Sequence, residues 1–182
     1  MKRLLGRSWL WAPLICLLVL LGAWAGWQAY LTRFRLGFVP AELGVTQVTY
    51  AKERASGLGP GANEAGVFVF RLPAGVARRV SREELGFLSG LNSTSWRDRY
   101  ETWRQTPVRE GVGPNGPEGL KSSKIRDYLG RYGFGLDLTV APTVIDMIDR
   151  TLQRPGSYWA SGRTGVLIVA PDAELVVYVY AG

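Results

Sequence analysis

The stretch VLIVAPDAELVVYVY, residues 166–180, decides how the rest of this chain can fold. Val166-Leu167-Ile168-Val169 is an unbroken apolar run, Pro171-Asp172-Ala173 supplies turn residues, and residues 175–180 return as a second apolar run. A half-exposed strand alternates apolar and polar side chains with a period of two. Here apolar side chains occupy successive positions, so both faces of the hairpin are expected to be buried and the hairpin to lie at the centre of a sheet.

Working outward, Pro142 opens a helix whose Val144, Ile145, Ile148 and Leu152 face inward, while Asp146, Asp149, Arg150 and Gln153 face water; Pro155-Gly156 ends it. Residues 156–163 (GSYWASGR) link that helix to the hairpin, either as a ligand edge or as a plug over the sheet. Further back, Val45 to Ala51 reads as a strand, the Gly-rich run 56–66 as a surface loop, and Val67-Phe68-Val69-Phe70 as its hairpin partner. Ser81-Arg82-Glu83-Glu84 has the form of a capping box opening a helix with Leu85, Leu88 and Leu91. A second helix is expected from Ser95 to about Gln105, before Pro107, with Trp96, Tyr100 and Trp103 on one face. Ser123 would cap a short helix with Ile125, Tyr128, Leu129 and Tyr132, ending at Gly133. Residues 111–119 read as a loop. The expected fold is α+β: one antiparallel, or mixed, sheet with helices packed on one side.

The other end of the chain is different in kind. From Ser8 to Leu31 there is no charged residue, and a helix of roughly 20 apolar residues crosses a bilayer core. Trp9 and Trp11 lie near one end of this run, and Trp24, Trp27 and Tyr30 near the other, where amphipathic rings favour the headgroup level. The alternative is a cleaved signal peptide ending at Ala23-Trp24-Ala25; against it, the run continues to Leu31 and meets Arg33 and Arg35. The organisation expected is a basic flank (1–7), a transmembrane anchor (8–31), a connector (32–43) and one domain (44–182). Lys2, Arg3 and Arg7 outnumber Arg33 and Arg35, which favours an inner-membrane, single-pass protein with its C-terminal domain in the periplasm.

Composition excludes several chemistries. There is no His, so no Ser-His-Asp triad, HExxH zinc site or His-ligated metal can be built from this chain. The single Cys, Cys16, lies in the apolar run, so the outer domain forms no internal disulfide. The net charge is +7, but four of the 22 basic residues, Lys2, Arg3, Arg7 and Arg33, belong to the anchor and its edges. The remaining 18 face 15 acidic residues, a balance of +3, which gives no general attraction to nucleic acid. No cofactor, metal or nucleic acid is expected.

The strongest partner-binding candidates mix arginine with aromatic rings: Trp96, Arg97, Tyr100 and Arg104 first, then Tyr158, Trp159 and Arg163. The competing reading of Trp96, Tyr100 and Trp103 is an aromatic face turned into the core. Asp146 and Asp149, with Glu64, are the carboxylates a glycan hydrolase would need, facing each other across a cleft. Ser122-Ser123-Lys124 has no S-x-x-K spacing, and Asn92-Ser93-Thr94 is a glycosylation acceptor only in a eukaryotic secretory route. The Gly-rich loop lacks the Lys and following helix of a phosphate cradle. The expected function is a membrane-anchored, non-enzymatic interaction or accessory protein of the bacterial envelope, with an envelope protein as partner. A carboxylate-based envelope glycan hydrolase and a regulator or inhibitor of a transport or conjugation machine are the alternatives.

Overall fold

A computed structural model describes residues 11–55, 64–91, 99–100, 102–109, 119–131 and 138–182. The chain divides into two units, Met1–Phe34 and Arg35–Gly182. The first holds most of helix α1 (Ala12–Leu36), which is long and apolar enough to cross a membrane, as an anchor or a signal sequence would be. Its large Leu, Val, Ile and Trp side chains are exposed.

The second unit is built on a six-stranded sheet: β1 (Val48–Ala55), β2 (Glu64–Arg71), β3 (Arg104–Gln105), β4 (Tyr158–Ser161), β5 (Gly165–Ala170) and β6 (Leu175–Ala181). The order is β1-β2-β6-β5-β4-β3, and every neighbouring pair is antiparallel. The β5–β6 hairpin is central, as its double-faced apolar pattern requires, with Ile168 opposite Val177 and Leu167 opposite Tyr178. Strands β1 and β2 pair as predicted; residues 56–63 between them lie outside the described residues.

Successive residues point to opposite faces, and both faces are buried. Val67, Val69, Val166, Ile168, Val177 and Val179 meet α4 (Ile125–Gly130) and α5 (Pro142–Gln153) through Ile125, Leu129, Ile145, Ile148 and Leu152. Phe68, Phe70, Leu167, Val169, Val176 and Tyr178 meet α2 (Ala74–Glu83) and α3 (Leu85–Ser89) through Ala77, Val80 and Leu88. The expectation of helices on one side is therefore corrected. A sheet apolar on both faces must be covered on both, because an uncovered face would leave a large apolar patch in water.

Segment 35–43 is part of this core rather than a free connector. Helix α1 runs to Leu36; Leu36 and Phe38 are half-buried in the domain, Val39 is buried and Leu43 fully so. The Phe38 ring stacks on Tyr178 with centroids 4.6 Å apart, and Arg35 pairs with Glu53 at 2.6 Å.

Three local readings change. Helix α2 starts after Pro73, not at Ser81, and the Ser81 hydroxyl donates to the Ala77 carbonyl at 3.1 Å from mid-helix. The break between α2 and α3 falls at Glu84, whose φ of +48° stops the helix. The helix expected to reach Gln105 is absent at its end, because Arg104 and Gln105 are β3. At α4 no side chain of Ser123 caps the helix; Ser122 Oγ accepts from the Lys124 N–H at 3.1 Å, and Asp149 takes the next donor. Pro142 opens α5 as its ring geometry favours.

Candidate interaction site

Strand β3 closes one end of the sheet, and β4 holds it there. Arg104 lies opposite Trp159 and Gln105 opposite Tyr158. Opposed residues share a face, so the Arg104 guanidinium comes to 5.6 Å from the centroid of the Trp159 ring. Beyond β3 the chain is fixed from within: the Thr106 N–H donates to Ser157 O and the Val108 N–H to Leu152 O, both at 2.9 Å. This folds residues 106–109 round the end of α5. The result is a cavity of about 290 Å³ lined by Arg104, Gln105, Thr106, Pro107, Val108, Arg109 and Trp159. Trp159, Thr106 and Val108 are buried and form its floor, while Gln105, Pro107 and Arg109 are exposed at its rim.

Backbone polarity follows from the same register. In an antiparallel pair, hydrogen-bonded and non-hydrogen-bonded residue pairs alternate. The Thr106-to-Ser157 bond makes Gln105–Tyr158 a non-hydrogen-bonded pair. The Gln105 N–H and C=O therefore point away from β4, to the side of β3 on which no further strand lies among the described residues. The Gln105 side chain turns the other way and donates to Glu84 at 3.2 Å. Burial raises the Tyr158 phenol above its ordinary pKa, with Glu84 adding to the shift and a hydrogen bond with Gln105 opposing it.

The sequence candidates thus separate. Trp96 and Arg97 lie outside the described residues. Tyr100 is buried and donates its hydroxyl to the Phe38 carbonyl at 2.7 Å, with its ring packed against Gly162. Tyr158 is buried on the α2–α3 face and Trp159 on the α4–α5 face. Arg104 and Trp159 are brought together; Arg163 is exposed but does not line this cavity. Thr106, Pro107, Val108 and Arg109 were not singled out in the sequence, because only the β3–β4 pairing places them beside Trp159.

The carboxylates take other roles. Asp149 accepts the Ile125 N–H at 2.8 Å, capping α4 from α5. Burial raises its pKa above the ordinary carboxylate value, more than that hydrogen bond lowers it; Asp146 and Asp127 add to the rise. Asp146 is exposed on the same helix, and Glu64 sits on β2, opposite Ala55, with its backbone joined to Gly182. None of the three lines the cavity at β3, nor a second one between α2 and the turn 171–174, which Arg78, Arg82, Asp172 and Glu174 line together.

The Asp149 arrangement gives a direct test. Asp149→Ala removes the cap and is expected to cost about 0.5–2 kcal/mol, whereas Asp149→Asn keeps an acceptor and loses little or nothing at neutral pH. With its folded pKa raised, Asp149 lends stability that is complete below the ordinary Asp range and lost as pH rises through the raised value. Unfolding curves from pH 3 to 7 should show this decline in the parent and a flatter profile in Asp149→Asn. Identical profiles would remove the assigned titration.

Compared with protein-family models, curated proteins and solved structures, the chain finds no match.

Proposed function

We propose that this protein is a membrane-anchored, non-enzymatic interaction or accessory protein of the bacterial cell envelope, held in the inner membrane by α1 with its C-terminal domain in the periplasm. The observation that carries the reading is α1 itself. It presents Leu14, Leu18, Leu21, Trp24 and Trp27 as exposed apolar side chains, with Trp11 exposed just before it. Uncovered apolar surface of this length is stable only in an apolar medium, and a bilayer core supplies one. The basic residues flanking it favour the N-terminus inside.

The interaction role draws its support from the β3 edge. Arginine stacked on a tryptophan beside a concavity is a common composition for a protein contact. The hydrolase alternative finds no support in Asp146, Asp149 and Glu64, none of which lines either of the two cavities described above.

A reporter active only outside the cytoplasm, fused after Gly182, tests the topology. The expected product is active, full length and membrane-bound. A shortened, soluble, active product would mean a cleaved signal peptide, and an inactive membrane-bound one would reverse the orientation; either result overturns the reading.

A further inference from the structure

We propose that the cavity beside β3 binds an extended acidic segment of a partner protein, taking a Glu or Asp side-chain carboxylate between Arg104 and Arg109 while the segment's backbone pairs with Gln105. The inference rests on the interaction reading above and names the chemistry of the partner.

Charge is the first argument. Arg104 and Arg109 both line the cavity, and among the described residues neither makes an ion pair. Arg104 instead lies over the face of Trp159. Elsewhere in the domain arginines do find carboxylates: Arg35 with Glu53 at 2.6 Å and Arg79 with Glu83 at 3.0 Å. The second cavity, beside α2, balances Arg78 and Arg82 with Asp172 and Glu174, so it has no preference of sign. Among the described residues, the lining of the β3 cavity includes no acidic side chain. Two guanidinium forks beside a concavity suit a carboxylate, which each fork can meet with two parallel N–H donors.

Backbone geometry is the second argument. The outward N–H and C=O of Gln105 offer one donor and one acceptor at the last strand of the sheet. An incoming extended chain can satisfy both, as edge strands do when they accept a peptide. Alternate side chains of such a segment point to the same face. A carboxylate on the Arg104 face would then lie over the Trp159 floor, which shields the ion pair from water on one side and strengthens it. A globular acidic surface would not reach the buried floor, and a free chain end has no need of the Gln105 pair.

The test uses the full chain in detergent micelles and a dye-labelled peptide of alternating Glu and Thr, blocked at both ends, read by fluorescence anisotropy. Saturable binding is expected, weakening with added salt. Arg104→Gln and Arg109→Gln should each weaken it by at least about threefold, and the double variant by at least about tenfold. Arg104→Lys, which keeps charge without the fork, should fall between parent and Arg104→Gln. Arg109 is exposed, so its variant reports on binding even if changes at Arg104 disturb β3.

Equal binding of the matching Gln–Thr peptide, or equal affinity of the double variant, would overturn the proposal. So would tighter binding of a Gln–Thr peptide with a free C-terminus, which would make the site a chain-end reader. Competition by inorganic phosphate at the peptide's own concentration would reduce it to a simple anion site. Any of these results alongside a positive topology assay rejects the ligand class and leaves the membrane-anchored reading standing.

Discussion

Phe68→Ala should unfold this domain more readily than any other single truncation at the sheet's centre. Phe68 is fully buried on β2 and opposite Tyr178 of β6. Its ring contacts Phe38, Phe70, Tyr178 and Tyr180, with centroids 5.7–6.4 Å apart. Removing it leaves a void that four large rings, fixed on three different segments, cannot collapse into. Truncations of this kind cost about 3–5 kcal/mol. For a domain of this size that lowers the melting temperature by roughly 10 °C or more. Near-ultraviolet circular dichroism of the full chain in micelles would follow the loss without interference from helix signal. Unchanged melting would mean that the aromatic cluster contributes little to the folded state.

Gly165→Ala should be nearly as damaging, for the opposite reason. An added Cβ at Gly165 would lie 2.5 Å from the Val179 carbonyl oxygen and 2.7 Å from two carbons of the Tyr178 ring. The carbonyl belongs to the backbone of central strand β6, and Tyr178 is fully buried, with its hydroxyl 2.8 Å from Thr164 Oγ1. Neither neighbour can yield without disturbing the ladder. Overpacking in such a place costs typically 1–3 kcal/mol, and more where backbone must move. Gly66 provides the comparison: the nearest atoms to its added Cβ all belong to the partly buried Tyr180 side chain, and none to the backbone. The same thermal scan should rank Gly165→Ala well below Gly66→Ala. The reverse order would show that β6 is softer than its burial implies.

The parts of the fold that were legible in sequence share one property: their signal is local. The β5–β6 hairpin announces itself by apolar runs on both sides of a Pro-Asp turn, and α5 by Pro142 followed by one apolar stripe. The parts that were missed depend on partners far away in the chain. Residues 158–161 form a strand because Val166–Val169 lie alongside, yet their own sequence, Tyr-Trp-Ala-Ser, is as suited to a loop. Arg104 and Gln105 follow an aromatic pattern with helical spacing, and only pairing with β4 makes them strand. Ser81 shows how a correct local motif can be outcompeted: it has the letters of a capping box, but Pro73 starts the helix earlier and leaves the Ser inside it.

The candidate site was legible to the same extent. Arg104 and Trp159 stood out as residue types that mark contacts, but 55 positions separate them, and their meeting follows from strand order alone. Arg109 and the Gln105 backbone carried no sequence signal, since their role arises from direction rather than composition. Helices on both faces were missed, since the expectation placed them on one side, although the hairpin's doubly apolar pattern needs cover above and below.

The far end of the sheet, β1, bears on how many copies can share a surface. Anchoring of the kind proposed confines copies to a plane, where they meet at high effective concentration and an eight-residue terminal strand could stitch one sheet to the next. Two copies of β1 running antiparallel must oppose residues that point the same way. Over the charged half, that sets Lys52 against Lys52, or Lys52 against Arg54 with Glu53 against Glu53, each a repulsive match. Over the other half, the irregularity between Val48 and Tyr50 spoils the even spacing a partner strand would need. Both features oppose the fusion of crowded copies into a continuous sheet at β1.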